Sequence, residues 1–413
     1  MKRLSLCLFG FAVGCTTSRP DVVTARQLPA AISGDAATVV TGNNQLAFDV
    51  YNQLGSGTNT FFSPFSISTA FAMLDAGAAG QTDTELRTTF HFTLPGDQLH
   101  AAYGALLTSL DTGRSYNNYT LATADRLFGQ QGFPFLSTYL DVTKNDYEAQ
   151  LQTLDFTADD GETARGTINQ WVSHQTDAKI PELFPMGSIN QDTVLALANA
   201  ILFKGTWAQQ FDPTQTQTSS FHVANGADVQ AQLMHASETV SIAKIAGGEV
   251  GVLPFQGNDL AMLIVLPDSP DGLPALESQL TGASLSAAVA AAQSSDKVPV
   301  VLPKLQLSEA FDLVQLLKNL GVATAFDPTM ADFAGIDGKT DLFVQDAIHK
   351  ATITVDEEGA EAAAATGISV GGASGETDQP MLIADHSFAL AIYDNVTGSI
   401  LFLGRVQDPT QSM

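Results

Sequence analysis

The sequence predicts an α+β fold in one large domain. Apolar residues recur at helical spacing in the first part of the chain, whereas short runs rich in Val, Leu and Ile dominate the second part. The two kinds of segment do not alternate as strand–helix–strand units, which disfavours a doubly wound sheet. Of the 413 residues, 45% are apolar and only 15% are charged, so a large core can form despite the acidity of the chain.

Helices are predicted near the start of the folded part. Residues 44–54 place apolar side chains on one helical face, and the Ser-Pro pair at 63–64 is typical of a helix start. An apolar helix over residues 66–76 follows this pair. Thr82 and Glu85 have the spacing of a capping box, so they predict the start of a short third helix.

Strands are predicted later in the chain, where β-branched residues and leucines cluster. The predicted strands cover residues 192–203, 259–266, 298–302 and 352–355. A helix over residues 311–320 separates the last two, and Gly321 is placed to end it as a left-handed cap.

The first residues have the features of an export signal. Two cations precede an apolar run that ends at Cys15, and this run is too short for a membrane span, which needs about 20 apolar residues. The Gly-Cys ending resembles a bacterial lipobox in which Cys15 would be diacylated, although Ala12 stands where Leu is usual. Ordinary secretion and a buried apolar N-terminus are the alternatives.

Cysteine usage supports the same division of the chain. Cys7 and Cys15 are the only cysteines and both lie in the predicted signal peptide of residues 1–15, so the mature chain contains no disulfide and no thiol nucleophile. Residues 16–40 are rich in Thr, Ser and Ala and are predicted to be a flexible tether, followed by a domain over residues 41–413. We therefore expect an exported protein, either a lipoprotein of the cell envelope or a secreted protein.

The charge balance excludes several classes of partner. The chain has 18 Lys+Arg against 44 Asp+Glu, a formal net charge of -26. Such a polyanion is repelled by nucleic acids, by heparin-like polymers and by anionic membrane surfaces. The seven histidines lack metal-ligand spacing, and neither a Walker loop nor a dinucleotide fingerprint occurs, so no metal and no cofactor are predicted. A monomer is expected.

One motif suggests an enzyme. Residues 367–371, GISVG, match the G-x-S-x-G of esterases, with Ser369 as nucleophile, His386 as base and Asp378 or Asp385 as the third member. The flanking residues argue against it, because an Ala-rich segment precedes the motif and a Gly-rich one follows, whereas the esterase turn joins a strand to a helix. A serine hydrolase that uses Ser369 remains a remote alternative.

The segment over residues 357–379 joins two predicted strands and is long for a connection without structure of its own, so it is either functional or disordered. From Ala360 to Thr366 every residue except Glu361 is Ala or Thr. In an extended strand, one face would carry Ala360, Ala362, Ala364 and Thr366, and the other Glu361, Ala363 and Ala365. Such a strand could enter between two others; an Ala-rich helix or a plain linker is the alternative.

The chain resembles the serpin family over residues 42–408. The resemblance is carried by blocks in family order: NTFFSPFSIS at 59–68, INQWV at 168–172, NAILFKGTW at 199–207, LPK at 302–304, ADFAG at 331–335, HK at 349–350, EEGAEAAAAT at 357–366 and LFLGR at 401–405. It implies three β-sheets, eight to nine helices and an exposed reactive-centre loop at about residues 357–380. It also implies an inhibitor, not an enzyme, that traps a serine protease as an acyl-enzyme while the cleaved loop inserts into the main sheet.

The resemblance also implies roles for single residues. The hinge of the loop comprises Glu357, Glu358, Gly359, Ala360, Glu361, Ala362, Ala363, Ala364, Ala365 and Thr366. A polar cluster beneath the opening sheet comprises Ser63, Ser66, Asn199 and His349. Near the point of loop entry are Trp207, Lys304 and Glu357, and we expect an ion pair between the last two.

The family spacing, counted from Glu357, places the cleaved bond between Ala373 and Ser374, with Val370 as the alternative residue. No Lys or Arg occurs in residues 351–404, so the loop offers nothing to a trypsin-like protease. An elastase-like or subtilisin-like target is expected. A non-inhibitory serpin that acts as a carrier or chaperone is the main alternative.

Overall fold

A computed structural model describes residues 34–114, 119–360 and 380–411, without the side chains of residues 111–114, 122–125 and 199. Several predictions fall outside this description. They concern the signal segment with Cys15, the hinge residues from Glu361 to Thr366, and Ser369, Val370, Ala373 and Ser374 of the loop.

Ten α-helices occur in the described residues, six of them before residue 176. They are α1 (Gly34–Gln53), α2 (Pro64–Asp75), α3 (Gly80–Thr89), α4 (Gly96–Arg114), α5 (Ser137–Tyr147), α6 (Glu162–Gln175), α7 (Leu273–Glu277), α8 (Gly282–Ala291), α9 (Leu313–Leu320) and α10 (Ala334–Asp337). Helices α7 and α10 have only five and four residues. Among the helices of the described ranges, none has the length and hydrophobicity that crossing a bilayer requires.

Fifteen strands occur in the same residues. They are β1 (Thr60–Phe62), β2 (Tyr119–Gln130), β3 (Gln152–Leu154), β4 (Leu195–Thr206), β5 (Gln217–Phe221), β6 (Val229–Ile245), β7 (Gly248–Pro254), β8 (Leu260–Pro267), β9 (Gln293–Pro303), β10 (Leu305–Asp312), β11 (Ile348–Val355), β12 (Gly359–Ala360), β13 (Leu382–Ile383), β14 (Phe388–Asp394) and β15 (Ile400–Val406).

Six strands form the main sheet in the order β10–β11–β12–β4–β2–β3. The other nine are connected in the order β1–β15–β14–β8–β7–β6–β9–β13, with β5 added to β6. The first part of β6 pairs with β5 and its last part with β7, and its pairing with β9 is irregular between Glu238 and Val240. This irregularity separates the nine strands into two parts, so the three expected sheets are present, two of them linked through β6 and β9.

The main sheet is buried on both faces. Alternate residues of β4, such as Ile201 and Phe203, belong to the main apolar core. Ala198 and Ala200 on the opposite face belong to a smaller apolar cluster that includes Ile168 of α6. Because both faces are covered, any strand that joined the centre of this sheet would have to carry small or apolar side chains.

The folded part begins earlier than predicted. Helix α1 starts at Gly34, and Ala36, Val39 and Val40 are buried in it. The predicted tether over residues 16–40 is therefore too long at its C-terminal end. The Thr- and Ala-rich composition of the segment predicts no helix, but Val39 and Val40 at its end pack into the core.

The predicted capping box also has a different role. Helix α3 begins two residues before Thr82, so this side chain lies inside the helix. The Thr82 hydroxyl accepts from the backbone N–H of Asp332 at 3.0 Å, and Glu85 Oε2 accepts from the backbone N–H groups of Ala323 and Thr324, both at 2.8 Å. The two residues tie α3 to a distant segment instead of capping it.

A buried ionic cluster joins α1, α7 and β15. Arg405 donates through Nε to Glu277 Oε1 at 2.5 Å, and the Tyr51 hydroxyl donates to the same oxygen at 2.5 Å. The guanidinium also lies 4.9 Å from the centroid of the Tyr51 ring. Burial and then the charge of Glu277 raise the pKa of Tyr51 well above its usual range, so the hydroxyl remains a donor. The charge of Arg405 is thus compensated inside the protein instead of by water.

We predict that Glu277→Gln lowers the free energy of unfolding by about 3–5 kcal/mol, because it leaves the Arg405 charge buried without a counter-charge. The matched control is Asp177→Asn, which removes an exposed ion pair with Lys204 at 2.9 Å and should cost far less. Urea unfolding followed by circular dichroism measures both. Equal losses in the two variants would contradict the prediction.

Candidate functional site at the centre of the main sheet

The centre of the main sheet contains a short parallel contact between β4 and β11, here called the seam. It consists of three residue pairs, Lys350–Ala200, Ala351–Ile201 and Thr352–Leu202. On either side of the seam, β4 is antiparallel to β2 and β11 is antiparallel to β10. Parallel pairing is slightly less stable per residue than antiparallel pairing, so this short contact is the weakest part of the sheet centre.

Strand β12 enters one end of the seam. It is formed by two residues of the predicted hinge and is antiparallel to both neighbours: Ala360 pairs with Val355 of β11 and with Gly205 of β4, and Gly359 pairs with Thr206. The side chain of Ala360 is completely buried. Gly359 has φ of +155°, and a Cβ there would overlap the Gly205 carbonyl oxygen, so this position requires glycine.

At the other end of the seam the two strands diverge around a cavity. This cavity has a volume of about 140 Å³ and lies between the start of β4, the segment before β11 and helix α2. Its lining includes Ile67, Phe71, Leu195, Leu197, Leu342 and His349. The seam is therefore flanked by the start of an inserted strand on one side and by a cavity on the other.

Glu357 holds the start of the hinge. Lys304 Nζ lies 2.7 Å from Glu357 Oε2, so the ion pair expected from the resemblance is present. The Thr216 hydroxyl donates to Glu357 Oε1 at 2.6 Å. Burial opposes ionisation of Glu357, but the hydrogen bonds from Lys304 and Thr216 outweigh it and hold the pKa of Glu357 below its usual value.

Trp207 lies buried beside the same residues. Its indole Nε1 donates to the Asp356 carbonyl at 2.9 Å, and its backbone N–H donates to the Glu358 carbonyl at 3.0 Å. The ring stacks on Phe255 with centroids 4.8 Å apart. Trp207, Lys304 and Glu357 are thus brought together at the end of the seam where β12 enters.

Ser63 and His349 meet beneath the sheet. The backbone N–H of Ser63 donates to His349 Nε2 at 3.0 Å, and the Ser63 hydroxyl donates to the Leu401 carbonyl and accepts from the Ser66 N–H. His349 Nδ1 therefore carries the ring proton, and it has no acceptor among the described side chains. Burial lowers the pKa of His349 to about 3, so the ring is neutral. Asn199 lies on β4, and its side chain is outside the description.

The comparisons with known proteins identify this arrangement. Residues 41–409 match the family model described as Serpin (serine protease inhibitor). The chain belongs to the serpin family. It is 32% identical to human antithrombin-III, with 98% of this chain and 96% of that protein covered. It is 36% identical to the human leukocyte elastase inhibitor, with 89% of this chain and 99% of that protein covered.

Solved serpin structures share the fold. Maspin superposes with a TM-score of 0.81 at 27% identity, covering 91% of this chain and all of that one. Human thyroxine-binding globulin in complex with its ligand superposes with a TM-score of 0.79 at 29% identity, covering 92% and 100%. The α+β serpin fold is thereby confirmed. The family is one of protease inhibitors, not of enzymes, and the hydrolase alternative loses its support.

The position of His386 in this serpin also argues against the hydrolase alternative. One ring nitrogen, Nδ1, is 2.9 Å from Asp385 Oδ1, and Nε2 is 3.1 Å from the carbonyl oxygen of Pro267. The contact with Asp385 is one that a triad would also have, but Nε2, the nitrogen that would face a serine hydroxyl, lies against the Pro267 carbonyl oxygen instead.

Two contributors to the site were not predicted. Gly205 faces the hinge backbone, and a Cβ there would collide with Phe203 and Phe255. A glycine inside an otherwise apolar strand is a signal of such a close approach. Thr216 supports Glu357, but no pattern in the sequence distinguishes it from other threonines.

We predict an energetic coupling between Lys304 and Glu357 in this serpin. In a double-mutant cycle of Lys304→Ala and Glu357→Gln, urea unfolding should show a coupling of about 1 kcal/mol, because the two side chains share a short, partly buried hydrogen bond. A smaller coupling is expected between Lys244 and Glu249, where the lysine is 74% exposed instead of 41%. Strictly additive losses for Lys304 and Glu357 would refute the prediction.

We predict that His349 makes the native state sensitive to acid. Its pKa is about 3 in the folded protein and ordinarily 6.5. Between these values the unfolded chain binds the proton more tightly than the folded protein does. The contribution of His349 to the free energy of unfolding is therefore complete above about pH 6.5. It is lost as the pH falls towards 3, by up to about 1.4 kcal/mol per pH unit.

The comparison of wild type with His349→Gln isolates this contribution. The free energy of unfolding of the wild type minus that of His349→Gln should fall as the pH is lowered, because only the wild type loses the contribution of the histidine. The matched control is His174→Gln, the same substitution at an exposed histidine of α6. A pH-independent difference between wild type and His349→Gln would show the prediction to be wrong.

Proposed function

We propose that this serpin inhibits a serine protease of elastase-like or subtilisin-like specificity, trapping it after the protease has cleaved the reactive-centre loop. The observation that carries the proposal is strand β12. The first residues of the hinge already lie between β4 and β11, antiparallel to both. The cleaved loop would lengthen a strand that has already started.

The register of β12 defines the path of the inserted loop. Continued one residue at a time, it places residues 361–370 opposite residues 204–195 of β4. This path runs along the seam and reaches the cavity. Ala360 belongs to the main core, so the residues that share its face would also point into the core. These residues are Ala362, Ala364 and Thr366, all small. Glu361 would lie on the other face, opposite Lys204 near the end of β4, where the lysine side chain is 26% exposed.

Insertion would exchange one short parallel contact for two antiparallel ladders. Each backbone hydrogen bond contributes about 1 kcal/mol net, so a strand of this length makes on the order of 10 kcal/mol available. The separation of β4 from β11 opposes this gain, but it disrupts only three residue pairs. The strand would also fill the cavity and add dispersion contacts with its lining. This free energy would drive the displacement of an attached protease.

The residues of the loop support the proposed specificity. The family spacing puts Ala373 at the cleaved bond before Ser374, with Val370 as the alternative, and both are small or aliphatic. No Lys or Arg occurs in residues 351–404. A pocket that binds small apolar side chains suits this loop, whereas a trypsin-like pocket requires a cation. A relative with 36% identity is named as an inhibitor of leukocyte elastase.

The proposal includes the compartment. The features of residues 1–15 support export, with Cys15 as the site of a lipid anchor or, if it is not acylated, with release of the protein. An exported inhibitor would meet proteases outside the cytoplasm, and we propose that it acts there as a monomer.

The test is to incubate the full chain with elastase, subtilisin and trypsin. A denaturant-stable complex is expected on gels with the first two proteases but not with trypsin, together with a released C-terminal peptide that begins at Ser374. Ala360→Glu should be cleaved without forming a complex, because a carboxylate cannot occupy the buried site of Ala360 without a large desolvation cost.

The control variant is Met381→Glu, at the far end of the loop, where the side chain is 57% exposed. It should form the complex as the wild type does. Complete cleavage of the wild-type loop with fully active elastase and subtilisin would overturn the inhibitory proposal. It would favour the second candidate, a non-inhibitory carrier, for which the fold similarity to thyroxine-binding globulin provides a precedent.

A further inference from the structure

The face of the main sheet opposite the main core is covered by α6 and by residues 176–184, which follow the helix. These two parts, here called the α6 unit, are held to each other by Asn169 of α6. Its Oδ1 accepts from the backbone N–H groups of Leu183 and Phe184 at 3.0 and 2.9 Å, and its Nδ2 donates to the Phe184 carbonyl at 2.8 Å. Arg165 of α6 donates to the same carbonyl at 2.9 Å. The helix and the segment after it are therefore firmly joined.

The α6 unit is anchored on β2 and β4. The small apolar cluster beneath it contains buried side chains of α6, β2 and β4: Ile168, Val172, Phe128, Ala196, Ala198 and Ala200. Trp171 packs against this cluster, and the Arg126 guanidinium of β2 lies 4.6 Å from the centroid of the Trp171 ring. Lys204 Nζ of β4 lies 2.9 Å from Asp177 Oδ2 in the segment after the helix. Because a long antiparallel ladder joins β2 to β4, the α6 unit and these two strands hold together.

The α6 unit also contacts β11, on the other side of the seam. Ala351 of β11 belongs to the main core, so strand alternation places Ile348 and Lys350 on the face covered by the α6 unit. Ile348 is partly buried against the small apolar cluster. Lys350 Nζ donates to the Glu182 carbonyl at 3.4 Å, and Lys350 is itself paired with Ala200 in the seam. The α6 unit thus spans the seam and is linked to both of its strands.

The two sets of contacts differ in what happens to them when the seam opens. A strand inserted between β4 and β11 would move these strands apart by about 4.8 Å, the spacing of one strand. The α6 unit, with its buried anchors on β2 and β4, would stay with those strands. The contacts of Ile348 and Lys350 would therefore break, whereas the contact between Lys204 and Asp177 does not cross the seam.

We propose that Ile348 and Lys350 are positioning residues that latch β11 to the α6 unit and slow the opening of the seam. Because both contacts break as the strands separate, they stabilise the closed seam and not the open one. The consequence for inhibition rests on the proposed function, since the opening of the seam admits the cleaved loop. The opening itself can be measured without a protease.

The first test is hydrogen–deuterium exchange of the full chain, followed by mass spectrometry. Lys350→Met removes the ammonium and retains an apolar side chain of similar length. Peptides that cover residues 199–203 and 349–353 should exchange their seam amides about threefold to tenfold faster than in the wild type, because the latch no longer opposes local opening. The factor is modest because the bond from Lys350 is long and the side chain is only partly buried. Exchange in β14 should not change, since this strand lies in the other sheet.

The matched control is Asp177→Asn, which removes a contact of the same α6 unit with β4. It should leave exchange at the seam unchanged. Lys350→Arg can still donate to the Glu182 carbonyl and should restore the exchange of the wild type. Ile348→Ala should also accelerate exchange at the seam. If that variant is too unstable to fold, Lys350→Met carries the test.

The second test uses elastase at saturating concentration, where the limiting first-order rate of complex formation reports loop insertion. This rate should rise in Lys350→Met by a factor similar to that of the exchange, and it should stay at the wild-type value in Asp177→Asn. If the wild type forms no complex, the inhibitory proposal fails, and the exchange experiment still decides the latch. Wild-type exchange at the seam in Lys350→Met, an equal acceleration in β14, or an equal acceleration in Asp177→Asn would overturn the latch.

Discussion

The short parallel contact between β4 and β11 is the constraint on which the rest of the structure depends. The strands on either side of it, β2 with β4 and β10 with β11, are joined by longer antiparallel ladders, so the seam is the weak contact at the centre of the sheet. An antiparallel strand placed in the seam would complete hydrogen bonds with both neighbours. Under the proposed mechanism, insertion of the cleaved loop would give the sheet an arrangement of lower free energy.

In the proposed mechanism, the contacts of the hinge would let insertion begin from a defined position. Gly359 and Gly205 allow the backbone of β12 to lie close against β4. The hydrogen bonds of Glu357 and Trp207 hold the residues just before β12 in place. Because the first pairs of β12 already exist, growth of the proposed inserted strand would not require a search for register. The costly step is the separation of the seam, and the cavity at its far end shortens the contact to be separated.

Much of the fold was predictable because its local signals were strong. Ser63 caps α2 and Gly321 ends α9, as the Ser-Pro pair and the glycine indicate. The capping-box prediction was wrong because the same local spacing can serve a helix start or contacts with a distant segment. Thr82 and Glu85 have capping-box spacing, but their partners lie more than 200 positions away in the chain, and no local pattern reveals such partners.

By itself the sequence determined the chemistry of the loop: small side chains at alternate hinge positions and no cation over residues 351–404. These properties belong to the residues in any conformation. Only the tertiary structure decided the direction and register of β12, the length of the seam and the burial of the Arg405–Glu277 ion pair. Strand pairing and desolvation depend on residues that are distant in the chain, so they exist only once the chain has folded.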